Sequence, residues 1–391
     1  MPAKNMVYML LTAAIFLDSL LYGLIVPIVP YYARELRADP GLLGIIFAMY
    51  SLALLLGSFP AGYACDRLGR RPVLLAGLFM LFVSTLSFAW VNNMWLLVLS
   101  RFFQGMAGAA IWTAGLAAAA AMFPGEERGG RLGLMLSFIG LGTILGPLFS
   151  GFLLSIWGYR APFFSTALLI LPPALAFLWI RLPEPEQPGA GGDAGIFMFF
   201  KSLGDPAISL VMLLIVAASY GIGMLEPLLP LRLSRDFGLD SRGIGIIFGV
   251  MGLAYSLIQP VWGYLSDRAG HRPVMLLGLA AAAFVAPALA LVPGLVYMYV
   301  AVCLFSFAAS AMLTPCLPLL AEYSEKSGGE AYGKNFGLVN AAYSVGLLAG
   351  PAAGGVMAQY FSFLGAIGFY SVLLIIIGAG MLLARTGVRA K

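Results

Sequence analysis

Long apolar runs recur down the whole chain, and they constrain its fold more than any other feature. They fall near 6–32, 41–65, 72–91, 94–123, 131–157 and 161–180, then near 206–232, 242–266, 273–293, 295–322, 333–360 and 363–385. Each is close to or above the roughly 20 residues an α-helix needs to cross a bilayer. Inside lipid the backbone must satisfy its own hydrogen bonds, which leaves the helix as the solution for runs of this length. Composition agrees, with 61% hydrophobic and only 10% charged residues among 391, against about 25% charged in soluble domains. The expected fold is an all-α membrane protein of twelve transmembrane helices, with the lipid bilayer as a constant partner. The first run follows a short tail holding Lys4, carries Asp18 and lacks a small-residue cleavage site. It reads as a retained helix rather than a signal peptide.

A Pro/Gly/Glu segment, Leu182-Pro-Glu-Pro-Glu-Gln-Pro-Gly-Ala-Gly-Gly-Asp193, separates the sixth and seventh runs. Such a composition makes a linker. It divides the chain into an N-terminal half (1–181), a linker (182–205) and a C-terminal half (206–391). The halves repeat each other. Gly62-Tyr-Ala-Cys-Asp-Arg-Leu-Gly-Arg-Arg-Pro72 returns as Gly263-Tyr-Leu-Ser-Asp-Arg-Ala-Gly-His-Arg-Pro273. Pro27-Ile-Val-Pro30 is answered by Pro227-Leu-Leu-Pro230, and Gly44-Ile-Ile-Phe47 by Gly245-Ile-Ile-Phe248. Gly146-Pro-Leu-Phe-Ser-Gly151 is answered by Gly350-Pro-Ala-Ala-Gly-Gly355. A recurrence this long is an internal repeat. In the repeated loop, glycine permits a tight turn between helices, and proline suits the first turn of the next helix.

Charge is concentrated between the runs. Lys4, Arg67, Arg70, Arg71, Arg128, Arg131, Arg268 and Arg272 fall on one side, which also holds Lys201, Lys326 and Lys334. Arg34, Arg37, Arg160, Arg232, Arg235 and Arg242 fall on the other. The richer side is expected to be cytoplasmic, with both termini there. The net charge of +5 thus reflects topology, and nucleic acid is not an expected partner. Cys65, Cys303 and Cys316 are spaced for neither a disulfide framework nor a metal site, and no cofactor is expected. His271, the sole histidine, reads as a solvated loop residue, so a histidine relay within the membrane is excluded.

The repeated Gly-x-x-x-Asp-Arg-x-Gly loops resemble the signature loop of the major facilitator superfamily. Arg101-Phe-Phe-Gln-Gly105 resembles its fourth-helix motif, and Gly140 to Gly151 its antiporter-associated fifth-helix motif. The resemblance implies two six-helix halves related by pseudo-two-fold symmetry, rocking about a midplane site. Within the superfamily, the chain is similar to vesicular monoamine transporters and bacterial twelve-span drug/proton antiporters. That likeness rests on Leu17-Asp-Ser19, Val26-Pro-Ile-Val-Pro30, Glu126-Glu-Arg-Gly129, Arg160-Ala-Pro-Phe163 and Gly221-Ile-Gly-Met-Leu-Glu-Pro-Leu-Leu-Pro230. The chain departs from the vesicular pattern at Tyr50, where that pattern has lysine, and at Leu313 and Asn340, where it has acids. The bacterial likeness implies a plasma-membrane location.

Acids inside apolar runs are functional candidates by default. Asp18 lies near the middle of the first run, with Tyr22 one turn along its face. Glu226 lies in the outer half of the seventh run, before Pro227 and on a face with Ser219, Ile222 and Gly223. A carboxyl in low dielectric holds its proton more readily than in water, or releases it to pair with a cation. One acid then binds a proton or an ammonium group but not both well, which is the basis of exchange. Arg101 either snorkels to the interface or joins Gln104 in a polar network that helps an acid exchange protons. Ring quadrupoles attract cations, and Tyr22, Trp112, Phe248, Tyr255, Phe336 and Tyr343 are aromatic candidates for a cation pocket. Asn340, one turn after Phe336, is a candidate hydrogen-bonding group. The resemblance assigns gating to Gly62, Asp66, Arg67, Gly69, Arg70, Gly146, Pro147, Asp267 and Arg268, with Asp66 and Asp267 pairing across the halves in one state.

These readings favour a proton-coupled antiporter that exports organic cations, monoamine-like or multidrug in type, by alternating access. A facilitator of a neutral or anionic solute such as a sugar is the first alternative. It would call for basic residues deep in the runs, where only Arg101 comes close. A membrane enzyme or receptor is the second, and no metal cluster, nucleophile elbow or phosphate loop supports it. A monomer is expected: glycines are plentiful in the runs, but none of their spacings by itself compels a dimer.

Overall fold

The computed structural model describes residues 4–123, 127–183, 206–326 and 332–383. The regular elements among these residues are all helices. The N-terminal half supplies spans over Lys4–Glu35, Pro40–Leu68, Arg70–Ala89, Met94–Met122, Glu127–Trp157 and Ala161–Trp179. The C-terminal half supplies Ile208–Phe237, Ser241–Ala269, His271–Leu291, Leu295–Leu320 and Leu338–Leu383. Among the described residues, eleven helices are therefore long and apolar enough to cross a membrane, where the sequence predicts twelve runs. The difference lies in the last, which covers two of those runs. Ser362, at φ 70 and ψ 172, breaks the helix between them. The stretches 332–361 and 363–383 thus serve as eleventh and twelfth spans. The linker from 184 to 205, Glu126 in its motif and the C-terminal residues from 384 lie outside the described residues.

The matched prolines act differently in the two halves. In the first span, Pro27 falls in a 3₁₀ turn, Val26–Ile28, between the helices Lys4–Leu24 and Val29–Glu35. In the seventh, the helix Pro206–Phe237 runs through Pro227 and Pro230 without interruption. Other starts repeat faithfully. The Asp39 carboxylate accepts from the Leu42 N–H at 2.7 Å, and Asp240 from Gly243 at 2.8 Å, opening the second and eighth spans. A side-chain acceptor there satisfies an otherwise unpaired helix donor, and its charge suits the positive end of the helix.

Two compact units result. The first holds the described residues of 4–38, 49–183 and 239–249; the second holds those of 39–48, 206–238 and 250–383. Each unit thus takes the opening stretch of one span from the opposite half of the sequence. The same helix pairings recur in both. In the first unit, the first span packs on the fourth and fifth, and the third on the fourth and sixth. In the second, the seventh packs on the tenth and on the final helical stretch, and the ninth on the same two.

Glycine makes the closest of these approaches possible. A Cβ on Gly146 would lie 2.3 Å from the Leu20 carbonyl oxygen; one on Gly350 would lie 2.2 Å from that of Tyr220. The first and fifth spans, and the seventh and eleventh, therefore meet backbone to backbone. Gly44 and Gly245 also share a role. In the second unit, a Cβ on Gly44 would stand 2.1 Å from the Pro351 carbonyl oxygen. In the first unit, one on Gly245 would stand 2.4 Å from that of Pro147.

The repeated loops have matching geometry. Gly69 and Gly270 adopt φ values of 88° and 89° at the start of the third and ninth spans. A side chain is strained at that backbone conformation. In the N-terminal copy, the Arg71 Nε donates to the Phe177 carbonyl at 2.8 Å, and Nη2 donates to Leu178. Arg70 donates to the Pro183 carbonyl at 2.8 Å. In the C-terminal copy, Arg272 donates to the Met381 carbonyl. Both Arg71 and Arg272 thus reach the last turn of the final helix of their half, where carbonyls lack helical partners and cations are favoured. Arg67 and Arg268 lie over the Tyr63 and Tyr264 rings at 5.0 and 4.4 Å. Among the described residues, Asp66 and Asp267 make no ion pair. His271 is not a solvated loop residue, as the sequence reading had it. Its ring bridges Ser266 Oγ at 2.6 Å and Glu322 at 2.9 Å. Replacing Arg71 or Arg272 by glutamine is expected to destabilise the protein by about 1–2 kcal/mol, the worth of a charge-assisted bond near the surface. Thermal melting in detergent checks this, with Arg67→Gln as the near-neutral comparison.

Candidate functional site

Each unit holds a buried acid on its first helix. In the first unit it is Asp18, fully enclosed among the first, second and fourth spans. Its Oδ2 accepts from the Trp112 indole at 2.8 Å and from the Tyr50 hydroxyl at 3.2 Å. Among the described residues, its Oδ1 has no hydrogen-bond partner. Gly108 leaves room for this carboxylate: a Cβ there would lie 3.1 Å from both of its oxygens and 3.0 Å from the Tyr50 hydroxyl. Tyr22 packs on Tyr50 with ring centroids 4.6 Å apart.

Arg101 does not snorkel. It is completely buried and donates to the Gln104 Oε1 at 3.0 Å, one turn along the fourth span. Its guanidinium lies 5.6 Å from the Tyr22 ring centroid and 5.8 Å from that of Tyr50. Such placement gives a buried cation the negative faces of two rings. Asp18, Tyr22, Trp112 and Arg101, singled out in the sequence, thus form one cluster with Gln104 and Tyr50. Tyr50 had been noted only as a departure from the vesicular pattern. Its contact with Asp18 bridges 32 positions of sequence, so no local spacing could reveal it.

In the second unit the buried acid is Glu226, 7% exposed, on the seventh span. Tyr343 lies close enough to Glu226 and to Tyr255 to interact with both electrostatically. Asn340, on the same helix as Tyr343, is exposed. On the same helix as Glu226, Tyr220 stacks on Tyr370 with centroids 5.7 Å apart, and Phe305 lies against Tyr370. Phe248 is half-buried and belongs to the first unit, as do Tyr22 and Trp112, whereas Tyr255 and Tyr343 belong to the second. The Phe336 side chain lies outside the described ones.

Paired helical halves, each with an acid buried in its opening helix, define a multi-pass integral membrane protein built on a duplicated plan. The family description "Major Facilitator Superfamily" matches residues 11–217 and 211–390. The chain belongs to that superfamily, whose members compared below are transporters and not enzymes. It is 26% identical over 375 residues to the probable vesicular acetylcholine transporter-B of Danio rerio, covering 92% of this chain and 75% of that one. It is 27% identical over 354 residues to the synaptic vesicular amine transporter of Rattus norvegicus, covering 89% and 66%. The chain therefore spans three quarters of the first relative's length and just under two thirds of the second's. A solved bacterial homolog of the human lysosomal transporter Spinster, inward-facing and occupied, matches with a TM-score of 0.82 at 15% identity. That match covers 98% of this chain and 97% of the other and concerns the fold alone.

Proposed function

We propose that the chain is a proton-coupled antiporter that exports organic cations by alternating access. The observation that carries this reading is the pair of buried acids, Asp18 and Glu226, on the opening helix of each half. A buried carboxylate is costly unless it is protonated or paired. A proton and a cationic cargo can therefore compete for it, and each displaces the other as the site is exposed to opposite sides. The names of the amine and acetylcholine transporters among its relatives support a cationic cargo. Glu226 would be the principal exchanging acid, with Asp18 contributing to cation binding and Arg101 helping proton exchange. Tyr22, Trp112, Phe248, Tyr255, Phe336, Asn340 and Tyr343 would contact cargo. Asp66, Asp267 and the glycines and arginines of the repeated loops would hold one end state of the cycle. The proposed setting is a plasma membrane with both termini cytoplasmic.

Reconstituted vesicles carrying an imposed pH gradient test this reading. Uptake of an organic cation against proton flow supports it, and uptake indifferent to the gradient overturns proton coupling. Within that assay, Asp18→Asn is expected to weaken cargo binding about tenfold or more, because the charge is lost from a buried site. Asp18→Glu keeps the charge and should weaken it less. Equal affinities for wild type and both variants would reduce Asp18 to a structural role.

A further inference from the structure

His271 is the sole histidine of the chain, and the proposed transport cycle makes no use of it. It stands in the repeated loop where the first copy has Arg70. Arg70 carries a permanent charge and donates to the Pro183 carbonyl at 2.8 Å. His271 instead joins two elements of the second unit. Its Nδ1 lies 2.6 Å from Ser266 Oγ, near the end of the eighth span, and its Nε2 lies 2.9 Å from Glu322 Oε1. The histidine side chain is 12% exposed, against 48% for Glu322. Glu322 belongs to the helix Cys316–Lys326, which follows a break in the tenth span at Thr314–Pro315. That helix packs on the seventh span, which carries Glu226, and on the stretch Tyr332–Leu383. Its Cys316 lies close enough to Tyr255 to interact with it. The histidine therefore fastens one end of a short, separately hinged helix whose other end adjoins the surroundings of Glu226.

We propose that His271 and Glu322 form a proton-binding site, separate from the two buried acids, through which pH fastens or releases the helix Cys316–Lys326. The relevant pH is that of the aqueous side on which the repeated loops lie. A neutral ring meets both partners with one proton: Nδ1 accepts from the Ser266 hydroxyl, and Nε2–H donates to Glu322. A proton taken up at Nδ1 makes both nitrogens donors, and Ser266 Oγ then accepts. Both bonds survive, and the contact with Glu322 gains the attraction of opposite charges. Protonation thus tightens the fastening, and loss of the proton loosens it. The other charged groups near the ring are engaged elsewhere or make no ion pair. Arg268 lies over the Tyr264 ring, and Arg272 donates to the Met381 carbonyl. Among the described residues Asp267 makes no ion pair, and Glu322 is the carboxylate within reach of the ring. The site is independent of which cargo the chain carries.

The test is hydrogen–deuterium exchange on the purified full-length protein in detergent, at about pH 8 and about pH 5.5, across the range where histidine ordinarily changes charge. Rates are compared after correction for the intrinsic pH dependence of exchange. In the wild type, the amides of Cys316–Lys326 should gain about three- to tenfold in protection at the lower pH, the difference between a charge-assisted and a neutral hydrogen bond. His271→Gln cannot take up the proton, and Glu322→Gln removes the charge that the proton meets. Both should lose most of the gain. His271→Arg carries a fixed charge, as Arg70 does, and its protection should not vary with pH. Glu226→Gln should keep the wild-type response, which separates this site from the transport acid. Equal wild-type protection at both pH values overturns the proposal, as does a gain that persists undiminished in the His271 or Glu322 variants. Loss of the gain in Glu226→Gln assigns the titration to Glu226 and overturns the proposal likewise, while leaving the transport reading in place.

Discussion

Glu226→Gln is expected to abolish transport driven by a pH gradient and to flatten the dependence of cargo affinity on pH. The side chain keeps its size and hydrogen-bonding capacity but cannot ionise. Glu226 is 7% exposed on an unbroken helix, immediately before Pro227, so an amide of the same shape should be accommodated without repacking. Under the proposed mechanism, a proton and a cation compete for the wild-type carboxylate. Affinity should therefore fall with falling pH, by up to about tenfold or 1.4 kcal/mol per unit once the protonated form dominates. The measurement is the affinity of a permanently charged cation across pH for both proteins. Residual binding by the variant should match that of the wild type at low pH, where the wild-type acid is already neutral. An identical slope in both proteins would falsify this assignment and move the proton to Asp18 or to an acid outside the spans.

The two acids were legible in the sequence because charge within an apolar run is conspicuous and costly. Their surroundings were legible only where the partners lie on one helix. Arg101 and Gln104 are three positions apart, and their bond follows helical spacing. Tyr50 reaches Asp18 from a different span, and one tyrosine in an apolar run carries no local sign of its partner. The repeat revealed that Gly44 and Gly245 correspond, but not that each presses on another helix's backbone. That role depends on tertiary packing, as does the grouping of residues 39–48 and 239–249 with the opposite halves of the sequence. The same limit applies to Pro27 and Pro227. Identical spacing gives a 3₁₀ break in one helix and an uninterrupted helix in the other, so the spacing alone does not decide whether a proline breaks the helix. For the repeated loops, the glycine turn was legible from composition. The arginine contacts were not, since Phe177 and Met381 lie more than a hundred positions downstream of Arg71 and Arg272.

Gly146→Val is expected to destabilise the first unit severely, and Gly350→Val the second. Both glycines stand where two helix backbones touch. A Cβ at 146 would fall 2.3 Å from the Leu20 carbonyl oxygen and 3.1 Å from the Gly23 Cα. At 350 the obstacles are the Tyr220 carbonyl oxygen at 2.2 Å and the Met224 nitrogen at 3.0 Å. These are backbone atoms, which cannot rotate away as a side chain end can, so the helices themselves must separate. Overpacking a filled interior costs about 1–3 kcal/mol, and occasionally more; a β-branched residue against two backbones belongs at the upper end. Because Gly146 meets the first span one turn beyond Asp18, the displacement should also weaken cargo binding. Gly140 supplies the contrast on the same helix: nothing lies within 4 Å of a Cβ there. Gly140→Ala should be neutral or should stabilise by up to about 1 kcal/mol through helix propensity. Melting temperatures and monodispersity in detergent read out all three variants. Comparable losses at 140 and 146 would overturn the backbone-contact account, whereas a loss at 146 and 350 alone assigns it to the interhelical seam.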